Sequence, residues 1–178
     1  PVVIEHNTIV GANWAGFPAF WESGGIKVFR LTGCVIRQNT IVGGCGPGIW
    51  LDWEHYGNRL EGNLFRSAWA FCVGIEASPG PNLVANNLSV NLRPGAVWFR
   101  EAFLAWSTDR YWAVNNTVDG RWNPLPAWQN QVGAGGLFLG EGGADRQTRW
   151  VALDDRRQAF VNNLVVGCRS ALRAKPND

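Results

Sequence analysis

Residues 58–65, Asn58-Arg59-Leu60-Glu61-Gly62-Asn63-Leu64-Phe65, read as two short extended runs that meet at an asparagine. Apolar and polar positions alternate through the first run, Arg59-Leu60-Glu61, which suits a half-buried strand. The pattern recurs as Val3-Ile4-Glu5-His6-Asn7-Thr8-Ile9-Val10 and as Val35-Ile36-Arg37-Gln38-Asn39-Thr40-Ile41-Val42. It returns as Leu83-Val84-Ala85-Asn86-Asn87-Leu88-Ser89-Val90, as Trp112-Ala113-Val114-Asn115-Asn116-Thr117-Val118, and as Ala159-Phe160-Val161-Asn162-Asn163-Leu164-Val165-Val166. The central asparagines are Asn7, Asn39, Asn63, Asn87, Asn116 and Asn163, spaced by 32, 24, 24, 29 and 47 residues.

A period near 24, built from short β-runs and Gly/Asn bends, reads as an all-β parallel β-helix. One coil cannot bury its own inner face; stacked coils can. The repeated Asn is expected at a tight bend, in the left-handed conformation that Asn tolerates. Its side-chain amides are expected to bond along the axis as a ladder. No segment has a convincing helical period. The chain is expected to form one solenoid domain over residues 1–178. Excess spacing places excursions at Asn13–Gly24 and, as a long insertion, at about 119–150, and long ordered insertions usually carry function. The polar tail after Arg169 is expected to fray or to lead into a further domain.

The chain opens at Pro1, inside a repeat, and contains no Met, so it is expected to be processed or part of a longer protein, and compartment is left open. No coil carries an evident cap. Uncapped coils expose strand edges, so either the solenoid continues beyond both ends or two copies meet end to end as a homodimer.

Composition narrows the class. With 178 residues, 22 Gly and 46% hydrophobic residues, the chain can bury a core and is not of disordered type. No apolar run approaches 18 residues, which argues against a membrane partner. The net charge of +2 without a basic cluster argues against nucleic acid. Cys34, Cys45, Cys72 and Cys168 have no C-x-x-C spacing and no His pairing, which argues against zinc. Buried free thiols and a Cys34–Cys45 disulfide both remain open. Eleven Trp is far above ordinary usage, and many stand beside Gly or charge. Flat aromatic faces in a polar groove suit sugar rings, although core or turn packing accounts for any single Trp equally well.

Two acids occupy the same phase of consecutive coils. Asp52 lies 11 residues before Asn63, and Glu76 lies 11 residues before Asn87. Equal offsets stack the two positions about 4.8 Å apart along the axis. With both side chains outward, their carboxyl groups fall roughly 5 Å apart, the separation of a retaining glycosidase pair. Stacked carboxylates repel, so one should hold its proton. Glu76, in the more apolar Cys72-Val73-Gly74-Ile75-Glu76-Ala77, is the candidate general acid/base. Asp52, between Trp50 and Trp53, is the candidate nucleophile. A solvated surface pair, or a pair binding a cation, remains the alternative. Candidate substrate-binding residues on the same strip are Trp50, Trp53, Lys27, Trp98, Arg100 and Glu101. Glu22 could reach in from the first excursion, and His55, with Glu54, could rim the groove.

The stretch Gly48-Ile49-Trp50-Leu51-Asp52-Trp53, followed by residues 58–65, then Ile75-Glu76 and Gly80-Pro81-Asn82-Leu83-Val84-Ala85-Asn86-Asn87, resembles the right-handed parallel β-helix glycoside hydrolases. It is most similar to their β-xylosidase group, glycoside hydrolase family one hundred and twenty. The similarity covers residues 48–90, with weaker likeness across 24–47 and 159–167. The Trp21-Glu22-Ser23-Gly24-Gly25-Ile26-Lys27 stretch is similar to a broader set of β-helix proteins. The resemblance implies an Asp nucleophile at Asp52 and a Glu acid/base at Glu76. It implies a retaining hydrolase of plant-type poly- or oligosaccharide, with a carbohydrate partner and no metal or organic cofactor. Such enzymes carry further coils and a β-sandwich, so this chain is expected to be a fragment. The rivals are a polysaccharide lyase using Lys27 or Arg100, and a non-catalytic sugar-binding or structural scaffold.

Overall fold

The computed structural model describes residues 1–18, 23–67, 71–91, 101–106, 108, 110–119, 135–139, 159–166 and 172–174. Three short strands make each turn of the chain. The first coil holds β1 (Val3–Glu5), β2 (Thr8–Val10) and β3 (Ile26–Phe29); the second holds β4 (Val35–Arg37), β5 (Thr40–Val42) and β6 (Ile49–Asp52). The third holds β7 (Arg59–Glu61), β8 (Leu64–Arg66) and β9 (Val73–Glu76); the fourth holds β10 (Asn82–Ala85), β11 (Leu88–Val90) and β12 (Glu101–Trp106). The fifth holds β13 (Tyr111–Val114), β14 (Thr117–Asp119) and β15 (Gly135–Leu139); the sixth holds β16 (Ala159–Val161), β17 (Leu164–Val166) and β18 (Leu172–Ala174). Corresponding strands of successive coils pair in parallel, giving three six-stranded sheets around one core. No helix of the described residues is long and apolar enough to cross a membrane.

The first and second sheets meet at the repeated asparagine, as the sequence pattern requires. Inward residues then stack in rows, because the strand period of two sends alternate side chains to the axis. Ile36, Leu60, Val84 and Ala113 form one row, Ile41, Phe65, Ser89 and Val118 another. The third sheet contributes Ile26, Ile49, Val73 and Phe103, then Val28, Leu51, Ile75 and Ala105. Nearly all are buried in a single apolar cluster, with Val28 packed at its margin. The rows need close approach at Gly48, where a Cβ would stand 2.5 Å from the Cys72 carbonyl oxygen and 2.6 Å from the Phe65 ring.

The ladder forms along the whole solenoid. Asn7, Asn39, Asn63, Asn87 and Asn116 each donate through Nδ2 to the Oδ1 of the next rung at 2.9–3.0 Å, ending on Asn163. Each of those Oδ1 atoms also accepts the backbone N–H of the preceding rung. The bend differs from expectation in one respect. The left-handed residue is the one before the rung: His6, Gln38, Gly62, Asn86, Asn115 and Asn162 have φ of 53–61°. The rung itself follows the bend, which frees its amide to point along the axis.

Cys34, Cys45 and Cys72 are free thiols, the first and last buried, so the Cys34–Cys45 disulfide is not formed. Cys168 lies outside the described residues. The excursion after β2 closes on Asn13, whose Nδ2 donates to the Phe17 and Cys45 carbonyls. The stretch expected as one insertion at 119–150 is divided by β15, which belongs to the third sheet.

Candidate functional site

The third sheet carries the site because its outward face holds the acids. In β6, Ile49 and Leu51 point to the core, so Trp50 and Asp52 face out. In β9, Val73 and Ile75 point inward, so Gly74 and Glu76 face out. Asp52 and Glu76 are register partners, and the row reads Phe29, Asp52, Glu76, Trp106 across four coils. Neighbouring strands lie about 4.8 Å apart, which sets the spacing of this row. Among the described residues no three His, Cys, Asp or Glu side chains gather as a metal group.

Lys27 stands in register with Trp50, one outward position short of Asp52, and reaches across diagonally. Its Nζ lies 2.9 Å from Asp52 Oδ2, with each side chain 16% exposed. The same ammonium sits 3.7 Å from the centroid of the Trp50 ring. Trp50 is therefore covered. It is 4% exposed and meets Phe71 edge-on at 5.7 Å. The Phe71 ring fills the space over Gly74, where a Cβ would stand 2.4 Å away. Trp50 holds Lys27 in place rather than offering an open face to a sugar.

Trp53 continues from Asp52 around the corner, with φ of 62°, and its ring lies 6.3 Å from Phe29 at a 44° tilt. Glu54, with φ of 57°, pairs with Arg30 at 2.8 Å.

His55 does not rim the groove. Its side chain is fully buried beneath the corner, because the chain turns inward after the two left-handed residues. Its Nδ1 accepts the Leu31 N–H at 3.3 Å, so Nε2 carries the proton and donates toward the Val28 and Asp52 carbonyls at 3.1 and 3.3 Å. The His55 N–H donates to Ser78 Oγ, whose hydroxyl donates to the Glu76 carbonyl. One buried network thus fixes the backbone under both acids.

Burial is the main cause that lowers the His55 pKa from 6.5, outweighing the hydrogen bonds and the Asp52 charge that raise it. Below pH 6.5 the unfolded chain takes up a proton that the folded chain refuses, so His55 contributes stability above that pH and loses it as pH falls. The expected loss is at most about 1.4 kcal/mol per pH unit from this one group. Unfolding midpoints between pH 7.5 and 5, compared with those of His55→Gln, check it; an equal slope in the variant would contradict the assignment.

The remaining sequence candidates are placed less directly. Glu22, Trp98 and Arg100 lie outside the described residues. Glu101 opens β12, but the residue in register with Glu76 is Trp106 at the other end of that strand. Phe29 and Trp106 escape an 11-residue count because they precede Asn39 and Asn116 by ten. Counted to the register row of Val35, Arg59, Leu83 and Trp112, the corners after β6 and β9 hold one residue more than those after β3 and β12.

A family model described as right handed beta helix region matches residues 2–118. The chain belongs to this family. The match takes in this β-helix from its first coil into β14, and so includes the whole Phe29–Asp52–Glu76–Trp106 row. Its description names a fold and no reaction. No curated protein and no solved structure matches the chain.

Proposed function

We propose that this β-helix is a retaining glycoside hydrolase acting on plant-type oligo- or polysaccharide, with β-xylosides the first substrates to try. The observation that carries the proposal is the register pairing of Asp52 with Glu76 on the outward face. A strand spacing of about 4.8 Å is close to the roughly 5–5.5 Å at which retaining enzymes hold their two carboxyl groups. Inverting enzymes need a wider gap to admit water.

In this proposal Asp52 attacks the anomeric carbon while Glu76 gives its proton to the departing glycosidic oxygen. The bond to the leaving sugar breaks as the ester to Asp52 forms. Water then attacks the same carbon, gives a proton to Glu76, and releases Asp52 as carboxylate. Lys27, bonded to Oδ2, orients the nucleophile. The two inversions restore the starting configuration.

The test uses proton NMR of product formed from aryl β-xyloside and from xylo-oligosaccharides. The first anomer released is expected to keep the configuration of the substrate. First release of the opposite anomer would exclude a nucleophilic Asp52. An unsaturated product absorbing in the ultraviolet would identify a lyase, and sugar binding without turnover would identify a binding module.

A further inference from the structure

Phe29 and Trp53 are the described aromatic residues that flank Asp52, the first exposed and the second half-buried. Phe29 is 51% exposed, at an outward position of β3, the end strand of the third sheet. Its row neighbour is Asp52 itself, and Trp53 is the next residue after Asp52. The two rings lie 6.3 Å apart, tilted by 44° to each other. Trp53 is held there by a costly backbone. Two successive non-glycine residues, Trp53 and Glu54, have positive φ. Each costs of order 1 kcal/mol, as at other corners and bends of the solenoid. Hydrogen bonds from Trp53 N to the Glu76 carbonyl and from Glu54 N to the Ala77 carbonyl keep the corner in that shape.

The charges around these rings are matched. Arg30 lies 5.0 Å over the Phe29 ring and pairs with Glu54; Lys27 pairs with Asp52. A uronate would have to compete with those carboxylates for its cation. A neutral pyranose would not: its C–H face suits the π-face of each ring, and its hydroxyls suit the guanidinium and carboxylate at the edge.

We infer that Phe29 and Trp53 form a stacking subsite for a neutral pyranose on the Asp52 side of the acids, which makes the substrate a neutral rather than a uronic acid glycan. This rests on the hydrolase proposal for the direction of the sugar chain. Glu76 serves the leaving group, so the ring beside Asp52 is the one that becomes bonded to the enzyme.

The experiment measures binding without turnover, by calorimetry and saturation-transfer NMR, on Asp52→Asn protein. Xylo-oligosaccharides, cello-oligosaccharides and oligogalacturonates are the probes. A neutral oligosaccharide is expected to bind more tightly than the uronate. Adding Phe29→Ala or Trp53→Ala is expected to weaken that binding about three- to tenfold each, with Trp53→Phe keeping most of it. Both side chains reach solvent, and circular dichroism confirms that the variants stay folded. Tighter binding of the uronate, absence of neutral-sugar binding, or unchanged affinity in both alanine variants would each overturn the subsite. If unchanged affinity accompanies retaining hydrolysis by the wild type, the subsite fails and the hydrolase stands. If both rings prove necessary for binding while the wild type hydrolyses nothing, the subsite stands and the hydrolase fails.

Discussion

Asp52→Asn is expected to reduce hydrolysis of an aryl glycoside by at least on the order of 10³-fold, because an amide does not attack the anomeric carbon. That corresponds to about 4 kcal/mol of lost transition-state stabilisation. Glu76→Gln is expected to cost about 10²–10⁴-fold with a poor leaving group, the usual contribution of a positioned general acid. The two variants separate by leaving group. A dinitrophenolate departs without a proton, so Glu76→Gln should still form the bond between Asp52 and the sugar. It should then stall, since no base activates water, and the intact protein should gain the mass of one sugar. Asp52→Asn should gain none with any leaving group.

The fold is expected to survive both changes. The two side chains face outward, and the core beneath them is formed by Leu51 and Ile75. Lys27→Met supplies the control for the ion pair. It leaves the Asp52 carboxylate in place, so its loss should be well below that of Asp52→Asn. Equal losses would mean that Asp52 acts only as the partner of Lys27. Wild-type rates in either acid variant would remove the pair from the chemistry.

The solenoid and the equal depth of the two acids were legible because a stacked repeat converts sequence offset into height along the axis. Asn63 and Asn87 recur with their surroundings nearly intact, and Asp52 and Glu76 inherit their register from them. The features that escaped are those that break the period. Phe29 joins the row only because its corner is one residue shorter. A second ladder escaped as well. Asn58 donates through Nδ2 to Asn82 Oδ1 at 3.1 Å, and Asn58 Oδ1 accepts the Cys34 N–H at 2.9 Å. The equivalent positions in the flanking coils are Cys34 and Tyr111, five residues before their rungs, so this ladder is only two rungs long and no asparagine period announces it. His55 and Trp50 escaped for a different reason. A histidine three residues after Asp52, and an indole two residues before it in the strand, read as surface groups. Whether each is covered depends on Ser78, Lys27 and Phe71 from other parts of the coils, which alternation within one strand does not encode.

The largest loss of stability is expected at the centre of the main ladder, from Asn63→Leu. Asn63 is 1% exposed, and its amide is fully used. Oδ1 accepts Asn39 N–H and Asn39 Nδ2, while Nδ2 donates to the Ile36 carbonyl and to Asn87 Oδ1. Leucine has similar bulk but leaves the Asn39 N–H and the Ile36 carbonyl facing a hydrocarbon, at about 1–3 kcal/mol for each buried polar group so orphaned. The ladder also spreads the effect, because Asn87 loses one donor from the rung above it. The expected total is about 4 kcal/mol, a large share of the 5–15 kcal/mol that holds a typical domain together. Asn7→Leu is the matched control: Asn7 is exposed and donates to Asn39 without bearing a described rung of its own, so it should cost under about 1 kcal/mol. Urea unfolding of the two variants measures the contrast. Equal and small losses would mean that the inward rows of Ile, Leu and Val hold the coils in register by themselves, and that the amide column is a consequence of the stacking rather than a cause of it.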